Sequence, residues 1–105
     1  MYTPNKAKEA LKELGGHIRM ARKRRLWTIA ELSQKVGVSS PTIISLEKGE
    51  STVSVGVLVS ALWTLGLDAE LRALTTLNDV EGIKLMNMRL PEKVRTKKKA
   101  LDNDF

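Results

Sequence analysis

A chain of 105 residues with 42% hydrophobic side chains can bury one modest core, which is aliphatic because Tyr2, Trp27, Trp63 and Phe105 are its only aromatics. The absence of Cys excludes disulfides and thiolate metal sites, and a single histidine, His17, excludes a multi-histidine metal site. A net charge of +6 points to a polyanionic partner, nucleic acid before membrane.

The chain opens with Thr3-Pro4, read as an N-cap followed by Pro at the first helical position. Ala7, Leu11, Leu14, Ile18 and Ala21 recur at helical spacing, so one helix is expected to about Arg25. Gly15-Gly16 interrupts its propensity, either for close packing or as a join between an N-terminal extension, 3–13, and the domain proper. The lysine and arginines at 23–25 read as a solvated helix end. Thr28 and Glu31 have the spacing of a capping box, and Ile29, Leu32 and Val36 form one apolar face that Gly37 ends. Ser39 or Ser40 caps a third helix, with Ile43 and Leu46 inward and Lys48-Gly49 closing it. Ser54 caps a fourth, with Val55, Leu58, Ala61, Leu62 and Leu65 inward and Gly66 as terminator.

Residues 67–74, LDAELRAL, are ambiguous. Leu67, Ala69, Leu71 and Ala73 alternate as a strand would, whereas Ala, Glu and Leu prefer helix. A strand here needs a partner for its backbone, most simply the same segment of a second chain. Asn78 to Glu81 reads as a further helix start, with Ile83, Met86 and Leu90 on one side and a boundary at Pro91. Lys and Arg outnumber Asp and Glu ten to five over residues 1–66 and five to three over 91–105, around a near-neutral middle. The chain is thus expected to divide into a basic region at 1–66, a dimerisation strand and C-terminal helix at 67–90, and a basic tail at 91–105.

Two short helices joined by Gly37-Val38-Ser39 are the sequence form of a helix-turn-helix. Gly37 permits the steep turn, Ser33 is small enough for close crossing, and Ile43 locks the second helix on the first. A helix presented so fits the major groove, with its first residues at the base edges. A plain helical hairpin could share Gly37 or Ser33 singly, but the joint pattern of Thr28, Glu31, Leu32, Ser33, Val36, Gly37, Ser39, Ile43, Leu46, Glu47 and Gly49 is far more specific.

Over roughly residues 11–66 that pattern resembles the XRE/Cro/cI family of helix-turn-helix repressors. The resemblance implies an all-α, lambda-repressor-like bundle of about five helices. It implies base-facing roles for Ser40, Pro41, Thr42 and Ser45, and phosphate-facing roles for Arg19, Thr28, Ser39, Lys48 and Thr52. Ile29 stands where the family often has Gln. Arg22 is expected to pair with Glu47, tying the first helix to the third. The short base-facing side chains cannot make bidentate pairs with guanine or adenine, so specificity is expected to lean on phosphates, water and DNA shape, with Pro41 offered to a thymine methyl.

One such module covers little DNA, so a homodimer on a palindromic operator is expected. Trp63 and the seam Leu67, Ala69, Leu71 are its candidate contacts. "LWTIAEL" and the extension after the motif resemble HipB-type antitoxins, which implies a dimerising β-strand after the fourth helix, autoregulation of an operon, and a HipA-type kinase toxin as partner. The alternative is a stand-alone repressor of the same family. An enzyme is not expected, since His17 has no partner constellation and no phosphate-cradling glycine loop exists; nor is a cofactor or a metal. With no apolar run of membrane-spanning length and no secretion pattern, the chain is expected in a bacterial cytoplasm, on the nucleoid.

Overall fold

Five helices follow one another to Thr75, and the second, third and fourth each start on a hydroxyl side chain that accepts from a first-turn amide. In the computed structural model, which describes residues 2–89, they are α1 (Asn5–Arg24), α2 (Ile29–Val36), α3 (Ser40–Lys48), α4 (Val55–Thr64) and α5 (Asp68–Thr75). The chain divides after Thr75 into two units, and the second contains α6 (Val80–Arg89). Every element among the described residues is helical, and none is long and apolar enough to cross a membrane. Leu90 and the basic tail at 91–105 lie outside the described residues.

Pro4, rather than Thr3, is the N-cap of α1; its extended ψ of 151° places the first helical residue at Asn5. The helix runs unbroken through Gly15-Gly16. Gly15 is buried, and a Cβ built there would stand 2.5 Å from the carbonyl oxygen of Glu47, so the glycine is where α1 and the end of α3 touch backbone to backbone. Gly16 faces open space. Ser54 caps α4 by accepting from the Val57 amide at 3.2 Å.

Ile18, Leu32, Ile43 and Leu65 are the largest fully buried side chains, joined by Ala21, Leu46, Ala61 and Leu62. Each of the first four helices thus contributes to one aliphatic core, with Leu67 and Leu71 packed against its edge. Val55, expected inward, is 73% exposed because it opens α4, ahead of the turns that meet the core. Arg25, expected to be solvated, donates to the carbonyls of Ala21 at 2.6 Å and Leu65 at 2.5 Å, joining the ends of α1 and α4.

The strand considered for 67–74 does not form; the segment is α5. Leu67 and Leu71 are four apart, a spacing common to both periods; Leu67 meets the core from just before α5 and Leu71 from within it. A helix satisfies its own backbone within one chain, which a lone strand cannot do. In the second unit, Asp79 opens α6 by accepting from the Gly82 amide at 3.0 Å.

Candidate nucleic-acid interface

The turn between α2 and α3 fixes everything that follows. Thr28 Oγ1 accepts from the Glu31 amide at 3.0 Å, and the Glu31 carboxylate accepts from the Thr28 amide at 3.2 Å. That capping box starts α2, and Gly37, at φ 84° and ψ 33°, stops it. The Gly37 and Val38 amides both donate to the Ser33 carbonyl, at 2.8 and 3.0 Å. Ser33 is buried, and its hydroxyl lies 2.7 Å from the Ala30 carbonyl, to which it donates, and 3.3 Å from the Ser40 hydroxyl. Two side chains this short let the helices cross closely. Ser39 then caps α3, its Oγ accepting from the Thr42 amide at 3.4 Å.

Ile43 and Leu46 seat α3 in the core. Its far end is clamped to α1 by three further contacts. Arg22 Nε donates to Glu47 Oε2 at 2.7 Å and Nη2 to Oε1 at 3.0 Å, a bidentate pair with both side chains buried. Arg22 Nη1 also donates to the Trp27 carbonyl at 2.8 Å, which fixes the chain as it leaves α1. The hydrogen bonds that Arg22 donates to Glu47 raise the guanidinium pKa above its ordinary value against the opposing effect of burial. Gly15 and Gly49 complete the clamp, since a Cβ on Gly49 would collide with the backbone of Leu11 and Lys12.

What α3 leaves exposed is Pro41, Ile44 and Lys48, at the spacing of one helix face. Of the expected base-facing residues, Pro41 is exposed, whereas Ser40, Thr42 and Ser45 are half-buried. The Ser40 hydroxyl is turned to Ser33, and Thr42 Oγ1 lies 2.8 Å from Ser39 Oγ. Pro41, Thr42 and Ser45 line one shallow depression with Thr52, Val53, Ser54 and Val57. A neighbouring depression brings Lys48 and Thr52 together with Lys8, Lys12, Glu50 and Ser51. Arg19 and Thr28 are exposed and line neither. Lys35 stands 4.7 Å from the centre of the Trp27 ring, a cation–π contact.

Lys8, Lys12 and Ile44 are additions that sequence reasoning did not make. The two lysines are four apart, which places them on one side of α1, but only the backbone contact at Gly49 brings that side to Lys48. Ile44 differs from its apolar neighbour Ile43 only in register.

A second exposed surface runs along α4. Val55, Val59 and Trp63 are spaced by four and form one apolar stripe, with Trp63 65% exposed. Of the expected seam, Leu67 and Leu71 face the core while Ala69 is exposed, because a helix separates residues that a strand would align. His17 is exposed on α1.

A family model described as a helix-turn-helix domain matches residues 13–74, from the middle of α1 into α5. No curated protein and no solved structure matches the chain.

Proposed function

As the chain belongs to the helix-turn-helix domain family, which supports a DNA-binding regulator, we propose that it is a sequence-specific repressor of the XRE type. It acts as a homodimer on a palindromic operator. The observation that carries this reading is the two-sided α3: Ile43 and Leu46 hold it in the core while Pro41, Ile44 and Lys48 stand clear beside Lys8 and Lys12. A protruding helix end next to a cluster of cations matches the groove and phosphates of a duplex. Arg19, Thr28, Ser39, Lys48 and Thr52 contact phosphate. The exposed α4 stripe, centred on Trp63, is the natural dimer contact. The chain needs no cofactor or metal, does no catalysis itself, and works in the bacterial cytoplasm on nucleoid DNA.

The finer proposal is a HipB-type antitoxin that represses its own operon and holds a HipA-type kinase toxin, supported by the resemblance of "LWTIAEL" and the extension beyond the motif. A stand-alone XRE-family repressor is the second reading, and one observation favours it: residues 68–75 are helical where the antitoxin resemblance implies a strand. Co-expression of the tagged chain with the product of its neighbouring reading frame separates the two. A stoichiometric kinase-sized partner supports the antitoxin, and a clean homodimer the stand-alone repressor. For DNA binding itself, affinity for duplex is expected to fall steeply with salt, with a slope near 0.9 per phosphate engaged. A salt-independent affinity would overturn it.

A further inference from the structure

The exposed face of α3 lacks the groups that usually read bases. It has no Arg, Asn or Gln, and its only long polar side chain is Lys48, at the C-terminal end. The Ser40 hydroxyl is engaged by Ser33, and the Thr42 hydroxyl by Ser39. Ser45 offers one short hydroxyl, which can bond to more than one kind of base edge and so discriminates weakly. The side chains left at the front are Pro41 and Ile44. Ile44 is 38% exposed, although it lies on a helix whose next residue toward the N-terminus, Ile43, is fully buried. An isoleucine held outward there finds one apolar group in the major groove, the C5 methyl of thymine.

Resting on the DNA-binding reading above, we infer that Ile44, together with Pro41, is a specificity-determining residue that reads thymine methyl groups, so that each operator half-site carries thymines beneath these two side chains. The spacing fits. Three residues of α-helix rise about 4.5 Å, against about 3.4 Å per base along a strand, so the two side chains reach neighbouring base pairs. Charge holds the contact in place: Lys48 ends this face, Lys8 and Lys12 line one depression with it, and these cations pin the backbone while the apolar pair selects among sequences.

The test uses the full chain and the duplex it selects from a random-sequence library. Each thymine is replaced in turn by deoxyuridine, which removes the methyl and keeps every hydrogen-bonding edge. At one or two positions per half-site the affinity is expected to drop about fourfold, the worth of one buried methyl-sized group. Ile44→Ala is expected to lose the discrimination between thymine and deoxyuridine at the position beneath residue 44 and to keep it at the position beneath Pro41. Since Ile44 is outside the buried core, circular dichroism of the variant should match the parent. Selection of a defined duplex whose affinity no deoxyuridine changes would overturn the methyl reading and leave sequence-specific binding standing. A variant Ile44→Ala that still discriminates at every position where the parent does would remove Ile44 from the readout. Failure to select any sequence would overturn the repressor reading itself.

Discussion

The two sides of α3 differ in kind. The inner side is fixed several times over, by Ile43 and Leu46 in the core, by the bidentate Arg22–Glu47 pair, and by backbone contacts at Gly15 and Gly49. The outer side carries three exposed side chains and little hydrogen bonding of its own. Stability is therefore concentrated where DNA cannot reach, and the outer residues are free to change without loss of fold. A helix held this firmly presents its outer face at little ordering cost on binding.

The sharpest way to break that division is to attack the inner side. Arg22→Ala or Glu47→Ala leaves a buried charge unpaired, and each is expected to cost about 3–5 kcal/mol, read as a lower denaturation midpoint with DNA affinity lost alongside. The pair is not an acid–base switch through Arg22. Because the pKa of Arg22 is raised, the loss of stabilisation through that group comes only as pH rises through its folded value in the strongly alkaline range. Gly15→Ala is next. Its neighbours are carbonyl groups of α3 that can yield only by moving the helix, so about 1–3 kcal/mol of destabilisation is expected.

The outer side should respond in the opposite manner. Replacing Lys8 and Lys12 together by Ala is expected to leave the denaturation midpoint within about 0.5 kcal/mol of the parent's stability. It should lower the salt slope of DNA binding by about 2, one phosphate for each lysine. The smallest effect is expected from Ser40→Ala with Thr42→Ala. Those hydroxyls already bond within the protein, so the preference for the selected duplex over random DNA should change less than about fivefold, the worth of one neutral hydrogen bond.

The inner side was legible in the sequence because its signals are local. Thr28 with Glu31, Gly37, Ser39, Gly49 and Ser54 mark helix ends within a few residues of chain, and the structure uses all of them as caps. The outer side was not. Ile43, expected inward, is buried, but nothing local marks Ile44 as the exposed neighbour on the side of Pro41 and Lys48, and Lys8 reaches Lys48 only through a contact between α1 and Gly49. Arg25 is exposed as expected, but its bond to the Leu65 carbonyl was hidden because that acceptor lies forty residues away. The 67–74 segment stayed ambiguous for a different reason: its alternation suits a strand, while the pair that meets the core, Leu67 and Leu71, fits either period.

The most direct measurement is backbone amide chemical-shift mapping of the full chain against its selected duplex. The largest perturbations are expected at Thr42–Lys48 on α3 and at Lys8 and Lys12 on α1. A complex in which the α3 amides stay unshifted, with the changes confined to α4 and α5, would contradict the claim that the outer face of α3 meets the DNA.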